Sequence, residues 1–422
     1  MPDPARTDSP PAAATMTSRE VAAHLGIKPE TLYAYVARGW VRAVAQPGTR
    51  AKRYLREDVE RLKIRSQAHG GKGAAAASAL HWGVPVITTG ITEIAADGPH
   101  YRGLPARQLA ERRLPFENTA EFLWTGVWHD QALRWPGSRL PAPFWRSCES
   151  LPPGIVANYA DRLATLFHLL GEAQGNLAAN RTDALLPQAR QALLMAAGAL
   201  AYLRPDGTLL APRPRQRLAA LAAQALGRPS DAALIDHLDL ALTLGADHEL
   251  PPSTFVARVV ASTGGGLHSC LAGAASAFHG VLSGTDPEGL EGWIKAGRST
   301  RAVLRALQTR QQQGRAVSGF NHPLYPQGDP RALRLLAEAA AQPDPNPRLT
   351  QLREVLQACA DKLGWTPAFH AGLLALQFGH DLPDGTAAAL NLLGRLAGIT
   401  AHVQEQRLSR VLIRPRAQYL AG

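Results

Sequence analysis

Residues 247–263 read DHELPPSTFVARVVAST, and the fold is decided by what this stretch is and what surrounds it. Before it, Ala232 to Leu244 carries apolar residues at helical period, which predicts a helix. After it come Gly264-Gly265-Gly266, a run that could suggest a phosphate loop. No strand–turn–Lys pattern surrounds these glycines, so close helix packing is the better reading. Further out the same period recurs in Ala160 to Leu170, Ala189 to Leu203, Arg217 to Leu226, Ala332 to Ala341 and Gly385 to Ala401, with turns such as Arg204-Pro205-Asp206-Gly207 between them. Val86 to Asp97 (VITTGITEIAAD) is instead β-branched and alternating, and its Asp97-Gly98 end predicts a short hairpin. The body is therefore expected to be mainly α, with one small β element near its start.

Composition agrees. The chain has 422 residues, is 45% hydrophobic and 19% charged, and holds 38 Gly and 32 Pro, an ordinary globular balance for one large domain and a small one. The formal net charge is +11, but the whole-chain excess is carried almost entirely by Arg, as GC-rich coding produces on any surface. Its location says more: residues 1–73 hold 13 Lys/Arg against 7 Asp/Glu, which fits a polyanionic partner. Cys148, Cys270 and Cys359 have neither metal nor disulfide spacing, so a cytoplasmic protein without a metal site is expected. No apolar run reaches membrane-spanning length. Residues 1–15 read as a disordered leader, 16–66 as a compact basic module, 67–82 as a Gly/Ala-rich flexible linker, and 83–422 as the body.

In the module, Thr17 and Glu20 form a capping-box pattern, and the helix they start ends at Gly26. A second helix, Glu30 to Arg38 with Pro29 in its first turn, follows at once, the spacing of a helix-turn-helix. Arg50, Lys52, Arg53 and Tyr54 fall on an expected hairpin wing, and Leu55 to Leu62 on a closing amphipathic helix. The stretch resembles MerR-type or excisionase-like DNA-binding domains. That resemblance implies that Thr31, Tyr33 and Tyr35 face the DNA, and that Arg38, Arg50 and Arg53 contact phosphates. An architectural appendage with a solvated basic face is the alternative.

The body has a resemblance of its own. Tyr101-Arg102-Gly103-Leu104-Pro105, Phe116 to Ala120, the 247–263 stretch, Gly319-Phe320-Asn321-His322 with Asp329-Pro330-Arg331, and Gly394 to Gly398 with Ala401-His402, Glu405-Gln406 and Ile413 to Arg416 are similar, in order and spacing, to citrate synthases. The resemblance implies a large helical domain with a small helical domain inserted at roughly 255–370, a dimer, and condensation of acetyl-CoA with oxaloacetate. A dianionic oxoacid calls for planar, bidentate Arg. The positions matching the family's oxaloacetate ligands are His248, Arg331, Arg395 and Arg414, the last acting across the dimer. Each alone would be an ordinary polar residue satisfied at a helix end; four together imply an anion pocket.

The condensation also needs a carboxylate base, a His on the developing enolate and a His on the oxaloacetate carbonyl. The last is kept as His322. The base lies in the family's NVDF stretch, which here reads Thr366-Pro367-Ala368-Phe369, so Ala368 replaces it. The enolate His lies in a GPLHG stretch, where Ser283 stands. His279 and His370 are candidate substitutes, each more readily a packed core residue. The family's HRVYK stretch, whose basic residues suit CoA phosphates, reads His322-Pro323-Leu324-Tyr325-Pro326. No resident cofactor is expected, and acetyl-CoA would be a co-substrate only. Three readings follow: a regulator that binds oxaloacetate or citrate and DNA; a non-catalytic subunit, homodimeric or paired with an intact citrate synthase-like chain; or an active citrate or 2-methylcitrate synthase with atypical catalytic residues.

Overall fold

A computed structural model describes residues 15–37, 41, 43–45, 52–55, 59, 87–137, 139–154, 158–175, 184–278, 289–313, 315, 317–341 and 346–415. The expected leader (but for Thr15), the 67–82 linker, most of Leu55 to Leu62, and Arg38, Arg50, His279 and Ser283 lie outside them. The protein divides into two compact units, residues 1–88 with 414–422, and residues 89–413.

In the first unit, β1 (Thr15–Thr17) leads into α1 (Ser18–Leu25), α2 (Pro29–Ala37), β2 (Ala43–Ala45) and β3 (Lys52–Leu55). The capping box forms as the sequence predicts. The Thr17 hydroxyl accepts from the Glu20 amide at 3.3 Å, and the Glu20 carboxylate accepts from the Thr17 amide at 2.7 Å. Gly26, at φ 63°, ends α1 in the left-handed conformation a glycine adopts without strain. The strands form an antiparallel sheet in the order β1-β3-β2. Met16, Val21, Leu32, Val41, Tyr54 and Val59 close a small core.

The second unit opens with a three-stranded antiparallel meander, β4 (Thr92–Ala95), β5 (Gly98–Tyr101) and β6 (Leu104–Pro105). The hairpin thus sits further along the chain than the alternation of 86–97 suggests: Asp97-Gly98 is its turn rather than its end. The second strand is held by Tyr101, which is fully buried and donates its hydroxyl to the carbonyls of Thr243 and Leu244 at 3.1 and 3.0 Å.

Helices follow: α3 (Ala106–Glu111), α4 (Phe116–Thr125), α5 (Ala142–Glu149), α6 (Tyr159–Gln174), α7 (Leu185–Ala199), α8 (Leu218–Ala225), α9 (Ala232–Leu244), α10 (Pro252–Ser262), α11 (Leu267–Phe278), α12 (Leu290–Lys295), α13 (Thr300–Gln312), α14 (Pro330–Ala340), α15 (Pro347–Leu363), α16 (Phe369–Gly379) and α17 (Thr386–Ser409). Each expected helix is present, α9 with the predicted ends, and α6 and α17 run longer.

α17 is buried on nearly every side, as a central helix must be. Glycines on it let the turn after α9 come close. A methyl added at Gly398 would lie 2.2 Å from the Asp247 carboxylate, and the Gly398 amide donates to the Ala246 carbonyl at 2.9 Å. Elsewhere the loop from Gly319 to Asp329 is fastened to the head of α16. Phe320 bridges to Pro367, Asn321 donates to Thr366 at 2.9 Å, Asp329 donates to Pro367 at 3.1 Å, and Ala368 donates to Gly319 at 2.9 Å. No helix among the described residues is long and apolar enough to cross a membrane.

Overpacking a close contact usually costs about 1–3 kcal/mol. Gly398→Ala meets a buried carboxylate and backbone rather than a flexible side chain, so a loss of at least ~2 kcal/mol is predicted by chemical denaturation. A change under ~0.5 kcal/mol would show that the approach of Asp247 to α17 is not tight.

Candidate functional site

The site is built where the turn after α9 meets α17 and the 319–331 segment. Asp247, fully buried, is held from beneath. A guanidinium only donates, so the 3.1 Å contact between Arg258 Nη1 and His402 Nδ1 fixes His402 as the tautomer with its proton on Nε2. That proton is donated to Asp247 Oδ2 at 3.2 Å. Arg258 is itself clamped by Glu405 at 2.6 Å and Gln406 at 2.9 Å, and Glu405 also accepts from the Gly90 amide at 2.8 Å. Glu249 adopts φ 59°, an uncommon conformation for a side-chain-bearing residue. His248 is thereby fixed between a locked aspartate and a strained turn.

His248, His322 and Tyr325 form an aromatic group. The histidine ring centroids are 5.0 Å apart at 78°, and those of His322 and Tyr325 are 5.1 Å apart. The Tyr325 hydroxyl lies 3.0 Å from His248 Nε2. The Leu324 amide donates to His322 Nδ1 at 3.2 Å, so His322 carries its proton on Nε2 and can offer it to a ligand oxygen. Burial, then the charges of Arg331 and Arg395, holds His248 well below the ordinary histidine range. Burial and Arg331 lower His322 as well, and burial pushes the Tyr325 hydroxyl up to about 12. All three are neutral at pH 7.

The cations are the two arginines. Asp329, the N-cap of α14, accepts from the Arg331 amide at 3.0 Å and grips its guanidinium through Nε and Nη2 at 3.0 and 2.7 Å. Burial alone would raise the Asp329 carboxyl, but Arg331 outweighs it and holds the group low. Arg331 is 3% exposed and Arg395, on α17, 8%. At that burial a polar atom needs a partner, yet Arg331 Nη1 and Arg395 Nε have none among the described residues. Burial, with Arg331 adding repulsion against the pull of Asp247, lowers the Arg395 pKa. The Arg331 guanidinium carbon stands 4.5 Å from the Phe369 ring centroid, and Ala368 sits just before that ring at the head of α16.

Three of the four expected carboxylate ligands, His248, Arg331 and Arg395, therefore share one electrostatic environment with His322. Arg414 does not join them: it is exposed beyond the end of α17, outside the compact unit that holds the other three. His370 lies on α16, half-buried. In the N-terminal unit, Tyr33 is 59% exposed, Thr31 is half-buried, Tyr35 packs against the small core and Arg53 lies on β3. Arg38, Arg50 and Ser283 lie outside the described residues.

Sequence reasoning missed Tyr325, Asp329 and the Asp247–His402–Arg258 chain. All stand inside quoted motifs. The signal was there in Asp247 and His402, a carboxylate and an imidazole in separate motifs of one buried site.

Residues 79–416 match the family model described as citrate synthase, C-terminal domain, and residues 16–73 match that of the MerR HTH family regulatory proteins. The chain is 29% identical over 357 residues to the 2-methylcitrate synthase of Mycobacterium tuberculosis (strain H37Rv), covering 80% of this chain and 88% of that protein. It is 30% identical over 362 residues to the putative citrate synthase 2 of Mycobacterium bovis, covering 80% and 91%. Among solved structures, the citrate synthase of Thermotoga maritima matches at 25% identity and a TM-score of 0.66, covering 81% of this chain and 94% of that one. The citrate synthase of Thermoplasma acidophilum, solved as a ternary complex with carboxymethyl coenzyme A and oxaloacetate, is similar in fold at a TM-score of 0.70 and 20% identity, covering 81% and 95%. Fold and site thus define a helical, citrate synthase-like domain behind a DNA-binding type of module. The chain belongs to the citrate synthase family and carries an N-terminal MerR-family helix-turn-helix domain.

Two histidines held neutral make stability depend on pH with a definite sign. The unfolded chain takes up these protons below about pH 6.5, while the folded site resists them. Their contribution is therefore full above about 6.5 and is lost as the pH falls toward their lowered folded values. Unfolding free energy is predicted to drop between pH 7 and pH 5, with a shallower slope in His248→Asn. An unchanged slope would show that His248 is not held neutral.

Proposed function

We propose that this protein is a carboxylate-responsive DNA-binding regulator: its pocket binds a di- or tricarboxylate without condensing it with an acyl-CoA, and its N-terminal domain binds DNA. The observation that carries this reading is Ala368, at the head of α16 beside Arg331, in a pocket where His248, His322, Arg331 and Arg395 are all kept. Two buried guanidinium nitrogens without partners suit a carboxylate, which accepts charge-assisted hydrogen bonds at both oxygens. The methyl of Ala368 cannot take a proton. Losing a general base costs about 10²- to 10⁴-fold in rate, and losing an enolate donor at the Ser283 position about 10²- to 10³-fold more.

DNA binding is favoured by the helix-turn-helix match, the basic surplus of residues 1–73 and the exposure of Tyr33 on α2. Three free, buried cysteines fit a reducing compartment such as the cytoplasm. No resident cofactor or metal enters this reading, and acyl-CoA binding is not part of it. A second reading is favoured by Arg414, which is exposed and apart from the pocket of its own chain. In that reading the chain is a non-catalytic subunit whose Arg414 completes the site of an intact citrate synthase-like partner. As a homodimer it would instead complete its own twin's pocket.

Thiol release with acetyl-CoA or propionyl-CoA plus oxaloacetate is predicted to run at least ~10³-fold below ordinary family members, as the two lost groups require. Calorimetry is predicted to detect oxaloacetate or citrate, with at least ~10-fold weaker binding in Arg395→Gln, the order expected when a charged hydrogen bond is lost. Ordinary turnover would overturn the regulator reading, and absence of any carboxylate binding would remove its basis.

A further inference from the structure

Resting on the carboxylate-binding reading, we infer that the pocket takes a tricarboxylate in preference to a four-carbon dicarboxylate, with the third carboxylate seated between Arg331 and the head of α16. α16 is an eleven-residue helix whose N-cap residue, Ala368, supplies no side-chain hydrogen bond. Its first turn therefore presents the positive end of the helix dipole without a side chain to answer it. A second, independent feature points to the same place. Arg331 is 3% exposed, its guanidinium carbon lies 4.5 Å from the ring of Phe369, the first residue of α16, and its Nη1 is without a partner among the described residues. Asp329 occupies the other edge of that guanidinium through Nε and Nη2, so Nη1 is the edge left for a ligand.

The donor inventory then exceeds what a dicarboxylate uses. Arg395 Nε and the His248–His322 pair suit one carboxylate and a hydroxyl or oxo group, the latter through the Nε2 proton of His322. Arg331 Nη1 suits a second carboxylate, and the uncapped head of α16 remains for a third. Alanine is what makes this place usable. A carboxylate at position 368 would cap the helix itself, as Asp does well, and would repel an anionic group arriving there. With Ala368, 9% exposed, neither competitor nor repulsion is present.

The test is calorimetry with citrate and (S)-malate on the full-length protein and on A368D and A368N. Wild type is expected to bind citrate at least ~10-fold tighter than malate, the order of one added charge-assisted contact. A368D should lose at least ~10-fold of the citrate affinity and under ~3-fold of the malate affinity, by repulsion of the third carboxylate alone. A368N, of the same shape without the charge, should keep more citrate affinity than A368D. Equal affinities for citrate and malate in wild type, or a citrate preference that A368D leaves intact, would overturn this inference while carboxylate binding stands. Binding of neither ligand would overturn both. Should A368D fail to fold, the wild-type ratio and A368N decide.

Discussion

Two guanidiniums buried in one pocket, Arg331 and Arg395, are the constraint on which this site depends. Removing an ion from water costs several kcal/mol even after relaxation, and here two like charges raise the cost by facing each other. The fold answers with two buried carboxylates. Asp329 holds Arg331 through two hydrogen bonds, at the first turn of α14, where its own backbone position caps the helix. Asp247 answers Arg395 electrostatically, and is itself kept in place by His402, Arg258 and Glu405, with Gly398 making room for it on α17.

The same charges set the chemistry of the neighbours. Beside two arginines, and away from water, His248 and His322 are neutral, so both serve as directional hydrogen-bonding groups rather than added cations. The Leu324 amide decides which nitrogen of His322 donates. Such an arrangement binds and polarises a carboxylate-bearing ligand. What it lacks at Ala368 is a group that can move a proton from carbon. Binding and turnover are thus separable in this pocket, because the cations lie on α14 and α17 while the base would stand on α16.

Much of the fold was legible because period and capping are local. The helix over 232–244, the Thr17–Glu20 box and the Gly26 stop depend on neighbours in sequence, and they stand where the sequence places them. The hairpin was displaced because alternation marks β-branched runs, whereas the second strand is held by a distant anchor, Tyr101 on the carbonyls after α9. In the site, His248, Arg331, Arg395 and His322 could be named from their motifs. Tyr325 was read only as part of a stretch that had lost basic residues, and its place over His248 comes from a turn whose geometry no periodicity encodes. The Asp247–His402–Arg258 chain joins three segments far apart in sequence, so only folding reveals it.

The central claim is that buried cations wait for carboxylates in a pocket without a base. A crystal structure of the full-length protein grown with citrate tests it most directly. The account predicts citrate carboxylates on Arg331 Nη1 and Arg395 Nε at about 2.7–2.9 Å, the range of charge-assisted hydrogen bonds. Citrate absent from this pocket at saturating concentration, or bound only elsewhere on the molecule, would contradict it.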